Sequence, residues 1–142
     1  MKKIKSILFL ALTVFCLMMG GCAVYPSVKI NDWNFTPQQA SGTEIDLSLI
    51  SGSELEFDFT VKNESEAREL LASTFDVIFK NEEVETHAIS IYIDNYKSSL
   101  NFAEYESKNI KLHAVSTSTV SESKSIIIKY DGTTIVEYIV KK

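Results

Sequence analysis

The chain has 142 residues, of which 45% are hydrophobic and 23% are charged, and its net charge at neutral pH is −5. This length suits a single domain, and the composition is that of a globular protein, which excludes disordered and low-complexity classes. The acidic balance repels phosphate backbones, so we expect no nucleic-acid partner.

The first 21 residues have the pattern of a secretory signal peptide. Lys2, Lys3 and Lys5 precede an apolar run over residues 7–19. This run is shorter than the about 20 apolar residues that a membrane-spanning helix needs. We therefore expect residues 1–21 to be removed during export.

The segment Met19-Gly20-Gly21-Cys22 resembles the lipobox of bacterial lipoproteins. In that family the cysteine receives a diacylglyceryl group, signal peptidase cuts before it, and the new amine is often acylated. The resemblance implies a protein that is exported and lipid-anchored at Cys22, in the cell membrane or the outer membrane. An ordinary signal peptide cut after Gly20 or Gly21 is the alternative. It would leave a free thiol in an oxidising compartment, because Cys16 departs with the signal.

The mature chain would be strongly acidic and held close to the membrane. Loss of residues 1–21 removes three of the 14 basic residues and none of the 19 acidic ones, which leaves a net charge of −8. Residues 22–26 form a short tether, since five extended residues reach at most ~17 Å. We expect membrane contact through the lipid on Cys22 and a partner among nearby envelope proteins.

From Ser27 onward the dominant sequence period is two, which is typical of half-buried strands. Residues 54–62 show it most clearly, with apolar residues at the odd positions and polar residues at the even ones. Short alternating runs between polar turns predict antiparallel sheets. The apolar positions of four further runs are Ile45/Leu47/Leu49, Phe75/Val77/Phe79, Ile89/Ile91/Ile93 and Ile110/Leu112/Ala114.

One segment departs from this period. Asn63 and Glu66 resemble a capping box ahead of the helix-forming residues up to Leu71. Nine residues make a marginal helix, so the segment is either a short helix crossing between sheets, which we favour, or the distorted continuation of a strand. Farther along the chain, the Ser- and Thr-rich segment 116–125 predicts a mobile connection.

Asp131-Gly132 predicts a tight turn between strands 125–130 and 133–140. A two-residue type I′ turn needs positive φ at both central residues, and Asp-Gly adopts this conformation at low steric cost. The C-terminal strands therefore form a hairpin.

This turn would pair Ile128 with Ile135 and Ile127 with Val136, which makes both faces of the hairpin apolar. One face must pack in the core, and the apolar residues of the other face, the surplus face, are not needed there. The surplus face is either covered by a neighbouring segment, such as the strand that holds Trp33, or free to bind a protein partner. Its members are Ile127, Val136, Tyr138 and Val140.

The expected fold is all-β: a single antiparallel β-sandwich of seven to eight strands over residues 27–142. The pattern of strand Phe59-Thr60-Val61-Lys62-Asn63, a middle hairpin, the Ile110/Leu112 strand and a closing hairpin resembles the immunoglobulin-like domains of small bacterial lipoproteins. The resemblance covers most of residues 43–140. The Cys–Trp–Cys arrangement of true immunoglobulin domains is absent, since Trp33 lies near the start.

Two histidines, His87 and His113, are the natural candidates for metal binding or general-base catalysis. His113 falls at an outward position of its strand, and His87 follows an acidic stretch. Neither has a ligand partner at a metal-binding spacing in sequence, so we expect surface histidines and no metal site.

Glu54, Glu56 and Asp58 form an acidic row on one strand face. Such side chains are about 7 Å apart along a strand, too far to share one calcium ion without further ligands. We expect modest cross-strand ion pairs with lysines instead. The lysine candidates are Lys108, Lys111 and Lys124.

The sequence contains no nucleophile elbow and no phosphate-cradling glycine loop, so we expect no catalytic residues and no cofactor. The expected function is that of a membrane-anchored envelope lipoprotein acting as a non-catalytic binding or adaptor module. The alternative is an inhibitor or protective protein that presents a loop to an enzyme, and a hydrolase is a weaker third possibility. An adaptor should offer a strand edge or apolar patch, and an enzyme a pocket with convergent polar groups.

Overall fold

The computed structural model describes residues 27–46, 54–116 and 123–141. The predicted signal peptide, Cys22, the tether and most of the Ser- and Thr-rich connection lie outside these ranges. Within them the chain forms twelve strands and a 3-10 turn at Ala72–Thr74. The strands are β1 (Val28–Ile30), β2 (Trp33–Pro37), β3 (Glu44–Asp46), β4 (Glu54–Asn63), β5 (Arg68–Leu71), β6 (Phe75–Asn81), β7 (Val84–His87), β8 (Ser90–Ile93), β9 (Ser99–Phe102), β10 (Ser107–Val115), β11 (Ser125–Tyr130) and β12 (Thr133–Lys141).

Two five-stranded sheets face each other around one core. Sheet A has the order β1-β2-β4-β10-β8, and sheet B has the order β3-β12-β11-β6-β7. Only the β3–β12 pair among them is parallel. One sheet contains the order β2-β4-β10-β8, and the sheet that faces it contains the order β12-β11-β6. This is the arrangement of the seven strands of an immunoglobulin domain. The domain is an immunoglobulin-like antiparallel β-sandwich, which confirms the predicted fold class.

The pairing of β4 with β10 forms the centre of sheet A. Nine residue pairs join the two strands, including Phe59 with Ile110 and Phe57 with Leu112. These side chains are buried in the core, whereas Glu56 and Lys111 lie on the outer face. The alternation predicted for both strands is confirmed, and burial of the apolar face is the main source of their stability.

The closing hairpin turns where predicted, but its strands pair in a different register. Asp131 and Gly132 have φ of 48° and 78°, as the predicted turn requires. A β-bulge between Ile128 and Lys129 then shifts the register by one residue, so that Ile128 faces Val136. The predicted pairing of Ile128 with Ile135 is wrong, because the bulge places two residues of one strand opposite one of the other.

The predicted helix at residues 63–71 is wrong. The segment makes a turn at Asn63 and then forms β5, which pairs with β9 as a two-stranded ladder outside both sheets. Leu70 is fully buried, and Leu71 beside it is exposed, so the segment alternates in the manner of a strand. The residues that resemble a helical cap organise this turn instead.

Short strands explain why the predicted number of seven to eight strands is too low. Strands β1, β3, β5, β7 and β9 have only three or four residues each, too few to show a clear alternation. Of the predicted Ile45/Leu47/Leu49 run, β3 covers Ile45, and the other two positions lie outside the described residues. The Ile89/Ile91/Ile93 run is confirmed as β8 from Ser90, with Ile89 just before it.

Candidate functional site

An open cleft of about 650 Å³ lies on the side of the sandwich where sheet A ends at β8. Three segments line it: residues 69–76, which run from β5 into β6, residues 88–92, which lead into β8, and Ser98 with Ser99. Hydrogen bonds fix these segments. Ala72 N–H donates to the Ser98 carbonyl at 2.9 Å, and Ala88 N–H donates to the Val77 carbonyl at 2.8 Å.

The cleft presents exposed apolar side chains next to carboxylates. Ile89 is 59% exposed and Leu71 is 42% exposed, although both residues are large and aliphatic. Glu69 and Asp76 are the charged residues in the lining, and no lysine or arginine of the described ranges lines it. A concave surface with exposed apolar groups and one sign of charge is suited to binding.

The backbone of β8 is also open toward the cleft. Ile93 N–H donates to the Lys97 carbonyl at 2.8 Å, on the side of β8 away from β10, whereas Asp94 N–H donates to the Lys111 carbonyl of β10. Backbone groups alternate in direction along a strand, so Ile91 directs its N–H and C=O to the same open side as Ile93. Ile91 is also one of the lining residues.

His87 lies beside the cleft and is oriented by a carboxylate of its lining. Its Nδ1 is 2.8 Å from Asp76 Oδ2 and 3.0 Å from Asp76 Oδ1. The side chain of His87 is 56% exposed, as the sequence predicted, and that of Asp76 is 41% exposed. The pair joins β6 to the edge strand β7 and holds one of the two acidic groups of the cleft.

His113 is on the outer face of sheet A as predicted, but the expectation that it is a surface histidine is wrong. It is only 5% exposed, because the Tyr96 ring stacks over it with ring centroids 4.9 Å apart. Its Nδ1 is 2.9 Å from Glu54 Oε1 and 3.5 Å from Glu56 Oε1. Tyr96 sits after β8 in the chain, so its position over β10 could not be read from local sequence.

Tyr96 ties this cluster together. Its hydroxyl donates to Glu54 Oε2 at 3.1 Å, and its ring also meets Tyr92 edge-on at 5.7 Å. The hydrogen bond to Glu54, and then the negative charge of the same carboxylate, raise the pKa of Tyr96. The cluster therefore holds the loop after β8 against β4 and β10.

The acidic row pairs with neighbouring strands, in part as predicted. Lys111 Nζ is 3.7 Å from Glu56 Oε2, which confirms one predicted cross-strand pair. Lys108 instead pairs with Glu106, and Lys124 with Glu82. No group of three or more metal-ligating side chains occurs in the described part of the chain.

The predicted partner surface on the C-terminal hairpin is contradicted by burial. Val136, Tyr138 and Val140 are 1%, 1% and 6% exposed, and Ile127 is partly buried on the outer face. The bulge turns the first three toward the core, where Tyr138 stacks on Phe57 of sheet A at 5.7 Å. Core residues of this kind cannot contact a partner, so these residues do not form a binding surface.

Sequence reasoning missed the cleft because its three lining segments are distant in the chain. The signals available were weak: Ile89 next to Ser90, and two leucines at the end of β5. Local patterns predict strands, but they do not show which strand becomes the edge of a sheet. Over the described ranges, no helix has the length and hydropathy that crossing a membrane requires.

No family model matches the chain. No curated protein matches it either. Among solved structures the chain is similar to the ASH / PapD-like domain of human CEP192 (PapD-like domain 7) at 8% sequence identity. That similarity covers 85% of this chain and 93% of the other, with a TM-score of 0.30.

Proposed function

We propose that this protein is an exported, lipid-anchored and non-catalytic binding module that holds a protein partner in the cell envelope. The observation that carries the proposal is the open cleft, with the exposed side chains of Ile89 and Leu71 at its rim. Exposed aliphatic groups of this size in a concave site favour contact with another protein. Membrane attachment rests on the lipobox at residues 19–22.

The sheet order supports a cleft that faces away from the anchor. Val28 begins β1, six positions after Cys22, and β1 is the edge of sheet A opposite β8. Four strand spacings of about 4.8 Å separate these two edges, or roughly 19 Å. A lipid attached near β1 therefore leaves the cleft accessible to a partner.

The chemistry of the cleft favours binding over catalysis. Its charged lining residues are two carboxylates, one of which is already paired with His87. That pair is partly open to solvent, whereas a catalytic base works best within a site that excludes water. The proposal therefore assigns no reaction to this domain.

Membrane attachment is tested with Cys22→Ser in the full-length chain, expressed in a bacterial host with lipoprotein machinery. We expect the unaltered chain to gain the mass of the lipid and to fractionate with membranes. The variant should gain no such mass and should become soluble, because the acyl chains provide the affinity for the bilayer. An unmodified, soluble product from both chains would show that the protein is secreted without an anchor.

Partner binding is tested by photo-crosslinking in the same cells, with the photoreactive residue placed at Ile89. Ile139, which is 47% exposed on β12 away from the cleft, is the matched control position. The proposal expects a discrete protein adduct from position 89 and none from position 139. Adducts that are equal at both positions, or absent from position 89, would exclude the cleft as the binding surface.

A further inference from the structure

We infer that the cleft takes an extended, basic segment of the partner protein, which adds a short strand to the open edge of β8. The inference rests on the proposed binding function and specifies the chemistry of the partner. Three independent features of the cleft support it: free backbone groups, apolar side chains and acidic charge.

The backbone of Ile91 provides the pairing site. Its N–H and C=O face the cleft, on the same side as the Ile93 N–H that already bonds to Lys97. An extended peptide adding to a sheet edge forms main-chain hydrogen bonds with residues of this kind. The bond from Ile93 to Lys97 closes one end of the edge, so the added strand must lie along Ser90 and Ile91.

The apolar side chains define which residues the peptide must carry. Ile89 lies just before β8 and Leu71 at the end of β5, and both are exposed in the cleft. Because alternate side chains of a strand point the same way, every second residue of the added strand can contact these two. The partner segment should therefore alternate between apolar and polar residues.

The charge of the lining determines the sign of those polar residues. Glu69 and Asp76 are both acidic, and no basic residue of the described ranges lines the cleft. The whole chain is acidic as well, with a net charge of −5. A segment that alternates lysine or arginine with aliphatic residues complements this surface, whereas an acidic segment is repelled.

The probe is a synthetic, fluorescein-labelled peptide of about seven residues that alternates Lys and Val. Fluorescence anisotropy measures its binding to the full-length chain, purified from membranes in a nonionic detergent. A Glu-Val peptide of equal length should bind at least about tenfold more weakly. Methylation of those backbone nitrogens of the Lys-Val peptide that would bond to β8 should weaken binding by a similar factor.

Glu69→Gln tests the charge of the cleft, and Glu44→Gln on β3 is its matched control at an exposed position of the opposite edge. Glu69→Gln should weaken binding of the Lys-Val peptide about threefold to tenfold at low salt, and Glu44→Gln should leave it unchanged. Equal effects of both variants, or equal binding of the two peptides, would overturn the inference.

Hydrogen exchange locates the added strand. The peptide should slow exchange of the Ile91 amide and leave that of Glu85, on the edge strand β7, as it was. Protection of Glu85 alone would place the peptide on the wrong edge. The Ile91 amide could also be protected in the absence of peptide, to an extent that increases with protein concentration. This result would show that a second copy of this chain occupies the edge, and it would also overturn the inference.

The inference and the proposed function can fail separately. A specific adduct from position 89 in cells, together with no preference for the basic peptide, would keep the binding function and reject the peptide class. No adduct from position 89, together with selective binding of the basic peptide, would confirm the recognition chemistry and reject the proposed role in the envelope.

Discussion

The side chain of Asn63 is fully buried at the end of β4 and bonds to four backbone or side-chain groups. Its Nδ2 donates to the carbonyls of Glu66 and Ala103 at 2.7 and 3.1 Å. Its Oδ1 accepts from Ser65 N–H and Arg68 Nε at 3.1 and 2.9 Å. A buried amide with all these partners holds the turn before β5 in one conformation.

Asn63→Ala should lower the free energy of unfolding by about 3 kcal/mol, because the substitution leaves several buried groups without partners. Urea denaturation followed by fluorescence of Trp33, which packs under Arg68 in the same region, measures the change. Asn101→Ala, at an exposed position of β9, is the control and should change stability little. Equal and small effects of the two substitutions would contradict the role given to Asn63.

The sequence predicted some of these residue-scale features and not others. It showed that Asn63 is a capping residue, but it did not show that the capped element is a turn leading to a strand. For His113 the alternation gave the correct face of the sheet. The burial of His113 depends on Tyr96, which lies in the loop after β8 and stacks on the histidine ring. A period-two pattern within one strand does not predict contacts from a distant loop.

The C-terminal hairpin combines a predictable turn with an unpredictable register. Gly132 has a φ of +78°, and nothing lies within 4 Å of the position that a Cβ would take. A substitution at this position is therefore limited by backbone conformation and not by space. Substitutions of Gly132 therefore measure the free-energy cost of the left-handed backbone conformation without a steric contribution.

Gly132→Ala should destabilise the domain by about 1 kcal/mol, since a left-handed conformation is unfavourable for alanine. Gly132→Asn should cost less, because asparagine adopts this conformation more readily. Thermal unfolding of the three proteins measures the order. Equal melting temperatures for the two variants would show that the turn does not constrain the hairpin.

The bulge explains why the register could not be read from the sequence. Three consecutive isoleucines, Ile126–Ile128, and the adjacent pair Ile135 and Val136 satisfy either of two registers equally well. The choice between them depends on the facing sheet, where Phe57 receives the ring of Tyr138. By contrast, β4 and the Ile110/Leu112/Ala114 run of β10 have a single apolar face each, so the face of each strand that packs in the core was predictable.

Across the whole molecule, Tyr138 links stability to alkaline pH. Burial raises its pKa to about 12, and the nearby charge of Asp58 adds to the effect. The folded state therefore retains a proton that the unfolded state releases above its ordinary pKa of about 10. The stabilisation is fully present below pH 10 and is lost as the pH rises to 12.

We expect the free energy of unfolding to fall by on the order of 2 kcal/mol between pH 10 and pH 12 because of this residue. Tyr138→Phe removes the ionisable group and should flatten this part of the profile. It should also cost about 1 kcal/mol at neutral pH, through loss of the hydrogen bond to the Gln39 carbonyl. Denaturant titrations at several pH values measure both effects.

Tyr105→Phe, at a side chain that is 62% exposed, is the matched control. It should leave the alkaline profile as it is in the unaltered protein. A Tyr138→Phe profile that falls as steeply as the control would assign the alkaline loss to other groups, of which Tyr130 is the first to examine because burial raises its pKa as well.

The cleft belongs to this largest scale, which is why no local pattern predicted it. Its lining joins β5, β6 and β8. The sequence predicted β6 and β8 as isolated alternating runs, and it predicted a helix where β5 lies. The sandwich class was predictable from the number of alternating runs. The place where the two sheets leave a side open depends on the pairing order, which only the folded chain defines.

The order of pairing also bears on when the chain can fold. Strand β4 can pair with β2 early, but its other edge has no partner until β10, which begins 44 positions after β4 ends. Strand β3 has no partner until the last strand, β12. Neither sheet can complete the pairing of its early strands until the later strands have been synthesised. Topologies with such non-local pairing fold slowly. A growing chain with this connectivity keeps unpaired strand edges during synthesis, and the proposed export through a narrow channel requires such an incompletely folded chain.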